Sequence, residues 1–207
     1  MLTAAYVERF FASYNDGGII GSIVMNCNPF TEGHRYLIEQ AALKVDRLII
    51  FVVEENKSLF AFKERLAMVI DGTKDLRNVF VIPSGDFILS QQTFPEYFIK
   101  VEDNDLQENV EFDIRLFAEG IASKLNIRYR FVGEENNDPV TQAYNQAMKK
   151  ILPDFGIDVV EIPRKKINGL AKEISATYVR NHIEEGEWEK IAELVPKSTM
   201  EIISAAW

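Results

Sequence analysis

A threonine, a glycine and a histidine stand together at Thr31-Glu32-Gly33-His34, after an Asn28-Pro29-Phe30 turn. These residue types suit anion chemistry. The first N–H groups of a helix lack internal partners and carry the positive end of its dipole, and phosphate binds such ends readily. Thr31 can cap a helix and offer a hydroxyl. Gly33 leaves space for a close backbone approach. His34 can donate to a phosphoryl oxygen that gains charge in a transition state. The plainer alternative is a cap followed by a surface histidine. A second set occurs late in the chain, at Ile174-Ser175-Ala176-Thr177-Tyr178-Val179-Arg180. Ser175 is a natural cap and Thr177 falls in the first turn. Arg180 lies about 1.4 turns beyond Ser175 and can reach back towards an anion. Alone this set is a weak signal; paired with the first, it becomes a strong one.

The elements that must position these residues are legible as alternating patterns. Short apolar runs at Ile19 to Met25, Leu48 to Val53, Val79 to Ile82, Arg128 to Val132 and Asp158 to Ile162 read as buried strands. Helical spacing follows in His34 to Val45, Phe62 to Ile70, Phe112 to Leu125 and Pro139 to Ile151. The alternation predicts an α/β fold, a three-layer doubly wound parallel sheet, with ligands beyond the carboxyl ends of the strands. Ser84 to Asn109 reads as a long irregular stretch. Ser175 to Glu185 and Trp188 to Val195 read as short helices, the last ended by Pro196.

The 207 residues carry 32 acids against 23 bases, a formal charge of −9. That balance argues against a general nucleic-acid binder, which needs clustered Lys and Arg. One cysteine, Cys27, and two histidines make neither a disulfide nor a structural zinc site. No apolar run is long enough to span a membrane, and residues 1–17 have no secretory pattern. A cytoplasmic protein is expected, with residues 1–17 an extension or remnant and 18–207 the working domain.

The Thr31-x-Gly33-His34 and Ile174-Ser175-x-Thr177-x-x-Arg180 segments resemble the two signatures of the nucleotidyltransferase superfamily, which has a Rossmann-like fold. VMNCNPFTEGHRYLIEQAA, IIFVVEENKSLFAFKERL, QQTFPEYFIK, RYRFVGEE, TQAYNQAMKK, VVEIPRKK and ISATYVR are similar, beyond those signatures, to the catalytic domain of citrate lyase ligase. The resemblance implies ATP with Mg²⁺ and acetate as substrates, acetyl-AMP as intermediate, and the acyl carrier subunit of citrate lyase as acceptor. It makes His34, Thr31 and Arg180 catalytic. It gives nucleotide contacts to Asn26, Asn28, Phe30, Thr31, His34, Gly133, Glu134, Ile174, Ser175, Thr177 and Arg180, and no protein ligand to a metal. The family usually carries an N-terminal acetyltransferase-like domain. The alternative is a stand-alone nucleotidyltransferase joining AMP or CMP to a phosphorylated acceptor; a third reading is a nucleotide-sensing or carrier-docking module.

Other residues stay open on sequence. Arg65 is a phosphate or acid contact, or an exposed helix-face partner. Cys27, beside a helix start, is a low-pKa thiol or a small residue packed under the loop. Phe94, Tyr97 and Phe98 line an acyl pocket or belong to the core. Ser84-Gly85-Asp86 could face the acid. His182 reads as surface or packing.

Overall fold

The expected strands form in the computed structural model, which describes residues 17–55, 57–85, 106–136, 138–166 and 173–207. They are β1 (Ile20–Met25), β2 (Arg47–Val52), β3 (Val79–Pro83), β4 (Ile127–Gly133) and β5 (Asp158–Ile162). All neighbouring pairs are parallel, in the order β3-β2-β1-β4-β5. The helices are α1 (Glu32–Ala42), α2 (Phe62–Thr73), α3 (Leu106–Phe117), α4 (Pro139–Ile151), α5 (Ala176–Glu185), α6 (Trp188–Ala192) and α7 (Lys197–Ala206).

Parallel strands are apolar on both faces because helices cover both. One core packs Ile38 and Ala41 of α1, Met68 and Val69 of α2, and Val179 and Ile183 of α5 against Ile23, Leu48 and Ile50. The other packs Ile114 and Phe117 of α3 and Tyr144 and Met148 of α4 against Ile49 and Phe51. This is the expected three-layer, doubly wound arrangement. The chain leaves β1 in one direction to β2 and β3, and lies on the other side for β4 and β5. The crevice therefore opens between the carboxyl ends of β1 and β4, just where the first motif begins.

Two expectations are corrected. The third helix starts at Leu106, earlier than Phe112, and ends as a π-helical turn at Ala118–Ala122, so the irregular stretch stops short of Asn109. Pro196 does not end the last helix; it stands at the N-cap of α7. Proline lacks an N–H, which a helix start does not need, and Ile203 then seats α7 in the core.

One glycine is a packing requirement. A Cβ on Gly72 would stand 2.5 Å from Cε1 of Phe30, whose ring is fully buried. Gly72→Ala is expected to cost about 1–3 kcal/mol of stability by overpacking. Urea unfolding checks this, and Phe30→Leu in the same background should recover part of the loss.

Candidate active site

Thr31 caps α1, its hydroxyl accepting from the His34 N–H at 3.3 Å. The Thr31 N–H donates to Nδ1 of His34 at 3.0 Å. This reciprocal box fixes the tautomer: Nδ1 is an acceptor, so the ring proton sits on Nε2. The ring also stacks on Phe30, centroids 5.9 Å apart. Burial, and secondarily the charge of Arg164, lower the His34 pKa to about 4. His34 is thus a neutral imidazole with an Nε2–H donor.

The helix tip is narrower than its sequence implies. Glu32 N–H donates to the Leu194 carbonyl at 2.8 Å, and Arg35 N–H to the Thr31 carbonyl at 3.0 Å. Across residues 31–35, the Gly33 N–H alone is left without a partner among the described residues. The Thr31 hydroxyl is buried and taken up by the cap. Phe30 is fully buried as well, main chain and ring alike, so it supports the loop from beneath.

The second tip meets the first. Ser175 caps α5, accepting from the Tyr178 N–H at 3.1 Å. Arg180 donates through Nη1 to the Asn28 carbonyl at 2.6 Å and through Nη2 to the Thr177 hydroxyl at 3.0 Å. A Cβ on Gly33 would lie 3.1 Å from the Ile174 carbonyl. Glycine at this position leaves room for the close approach of the Ile174 main chain. Asn28 Oδ1 accepts from the Phe60 N–H at 3.2 Å, and Asn26 Nδ2 donates to the Ser58 hydroxyl at 3.1 Å.

A titration tests the state of His34. Its pKa falls on folding, so the unfolded chain takes up the proton first as pH drops. This group's contribution is complete above about pH 6.5 and is lost as the pH falls towards 4. NMR should find His34 still neutral at about pH 5.5, with His182→Gln assigning the signals. A midpoint at the ordinary histidine value would mean an open ring.

Gly133 and Glu134 follow β4 at the other side of the crevice. The Gly133 carbonyl accepts from Asn145 Nδ2 at 3.2 Å. Arg164, just past β5, binds the Glu134 carbonyl through Nε at 2.6 Å, pairs with the Glu135 carboxylate, and has Glu173 at 3.5 Å. Lys165 reaches Glu32 at the tip of α1, 3.3 Å away. On sequence Arg164 stands only within the VVEIPRKK segment, with no role of its own. Nothing in its spacing tells which of the three adjacent bases turns towards the end of β4.

Arg65 is neither a phosphate contact nor an exposed partner. It is fully buried and donates to the carbonyls of Asn26 (2.7 Å), Val53 (2.9 Å), Glu55 (2.5 Å) and Phe60 (3.1 Å), and to Asn26 Oδ1 at 2.6 Å. It ties the exits of β1 and β2 together. Cys27 packs under the loop at φ 55°, and burial pushes its thiol pKa up, so it is not a low-pKa thiol. His182 is buried, edge-on to Tyr178 and paired with Glu187 towards the C-terminal end of α5. It is packing, and not surface. Ser84 is buried and accepts from the Glu54 N–H at 3.1 Å. Asp86, Phe94, Tyr97 and Phe98 lie outside the described residues.

The chain is similar to proteins of known family and to solved structures of the same fold. A citrate [pro-3S]-lyase ligase of Haemophilus influenzae is 46% identical over 190 residues, covering 89% of this chain and 56% of that protein. One of Klebsiella pneumoniae is 40% identical over 200 residues, covering 94% and 58%. The chain thus spans just over half the length of these relatives. Among solved structures, Thermotoga maritima TmcAL bound with alpha-thio ATP is similar with a TM-score of 0.51 at 16% identity, covering 90% of this chain and 55% of that one. The pantoate-beta-alanine ligase of Francisella tularensis, complexed with beta-gamma ATP and beta-alanine, gives 0.56 at 14%, covering 89% and 77%. These two share the fold. Residues 20–203 match the family model described as the citrate lyase ligase C-terminal domain, and the chain belongs to that family.

Proposed function

We propose that this chain is an AMP-forming acid–thiol ligase of the citrate lyase ligase type. The observation that carries the reading is the Arg180–Asn28 contact, which brings the late motif onto the early loop. A triphosphate bound there would meet His34 on its α-phosphoryl group and Ser175, Thr177 and Arg180 on its outer phosphates. Mg²⁺ enters with ATP as part of the substrate.

In the first step an acetate oxygen attacks the α-phosphorus of ATP. The bond to the bridging oxygen breaks, and pyrophosphate leaves with that electron pair. His34 Nε2–H donates to the non-bridging oxygen that gains charge, and no proton need leave the ring. In the second step a carrier thiolate attacks the acetyl carbonyl, and AMP leaves with the anhydride oxygen. The proposed acceptor is the prosthetic-group thiol on the acyl carrier subunit of citrate lyase. Gly133 and Glu134 would take the adenosine end, the carboxylate accepting from a ribose hydroxyl. Positioning and charge stabilisation supply the catalysis, with no covalent bond to the protein.

The test is acetyl-hydroxamate and pyrophosphate formation from ATP, with and without acetate. Acetate-dependent release supports the ligase. Release that ignores acetate but needs a phosphate monoester, with a dinucleotide product, overturns it in favour of a nucleotidyltransferase.

A further inference from the structure

Glu134 is held by its main chain and left free at its side chain. Its N–H donates to the Ile162 carbonyl at 2.9 Å, and its carbonyl accepts from Arg164 Nε at 2.6 Å. The half-buried carboxylate has no partner among the described residues. It lines a polar groove of about 340 Å³ with Glu135, Asn136, Gln142, Asn145 and Gln146. Arg164 is itself fixed from two further sides, by the Glu135 carboxylate and by Glu173 at 3.5 Å. Asn136 Nδ2 also donates to Glu173, at 3.1 Å. A guanidinium is a planar fork that can satisfy several acceptors in fixed directions, which an ammonium cannot.

We propose that Arg164 is a positioning residue for nucleotide selection: it sets the direction in which the Glu134 carboxylate leaves the end of β4, and so the discrimination between ribonucleotides and their deoxy analogues. The inference rests on the reading that Glu134 accepts from a ribose hydroxyl. The physical reason is direct. A carboxylate accepting from a hydroxyl discriminates only if it points at it, and a site built on such a bond rejects the analogue that lacks the hydroxyl.

The experiment measures calorimetric Kd values for ATP, 2′-deoxyATP and 3′-deoxyATP on the whole chain and on Glu134→Gln, Arg164→Met, Arg164→Lys and Glu135→Gln. The parent should prefer ATP by about ten- to a hundredfold over at least one deoxy analogue. Glu134→Gln should remove most of that preference. Both Arg164 variants should do the same while changing affinity for the deoxy analogue less than about threefold, because the lost contact is one the analogue never makes. Arg164→Met combined with Glu134→Gln should lose no more than either alone. If Arg164→Met gives no cooperative melt, Arg164→Lys and Glu135→Gln carry the test.

If the parent shows no preference, or Glu134→Gln keeps it, the ribose reading fails and this inference falls with it. If Glu134→Gln loses the preference but the Arg164 variants keep it, the inference alone is overturned. Equal weakening of all three nucleotides by the Arg164 variants would reduce Arg164 to a structural tie and overturn it as well.

Discussion

His34→Ala lowers turnover by about a hundred- to a thousandfold, the usual effect of removing one donor aimed at developing charge. Nucleotide affinity changes far less, because the Nε2–H bond strengthens as charge builds on the phosphoryl oxygen. The ring has a second task, however, since its Nδ1 accepts from the Thr31 N–H. Alanine removes both. His34→Asn separates them: the amide oxygen can still accept from the Thr31 N–H, but the shorter side chain has no donor at the Nε2 position. His34→Asn should therefore melt close to the parent and turn over as poorly as His34→Ala. Steady-state kinetics with parallel thermal melts makes the check. If His34→Asn restores turnover, the histidine works through the cap and not on the phosphate.

Arg65→Met should be the most destabilising single change at this end of the sheet. The guanidinium is fully buried and serves five acceptors, with Glu55 Oε1 at 3.5 Å besides. Removing one partner of a buried ion pair leaves the other uncompensated, which costs about 3–5 kcal/mol, and each orphaned buried acceptor adds about 1–3 kcal/mol before relaxation. A net loss of about 3–5 kcal/mol in chemical denaturation is the expected result. Arg65→Lys should recover less than half, since three donors on one nitrogen cannot reach carbonyls at residues 26, 53, 55 and 60 in one plane. A loss under about 0.5 kcal/mol would class Arg65 with ordinary surface positions.

The strands were readable because a parallel sheet buried on both faces favours unbroken apolar runs, and Leu48 to Val53 can be little else. The first helix was readable from its cap, since Thr31 and His34 stand three apart at its start. Arg65 was not readable. Its acceptors come from four places in the chain, and local periodicity shows only a charged residue on a helix. Arg164 was hidden for the same reason. Pro196 misled because proline stops one helix and starts another with equal ease. The Thr31 hydroxyl looked available because a sequence cannot show that the cap already occupies it. Convergence of the two motifs was foreseeable only as an expectation. The contact that realises it, from Arg180 to a main-chain carbonyl, has no side-chain partner to read.

Two main-chain groups of the early motif are completed from far down the chain: the Asn28 carbonyl by Arg180 and the Glu32 N–H by the Leu194 carbonyl. A nascent polypeptide halted after β5 would possess every strand of the sheet, yet both groups would still face water. Competence for chemistry should accordingly arrive late in synthesis, after the scaffold, and a fragment ending before residue 194 should regain it only when the missing segment is supplied in trans.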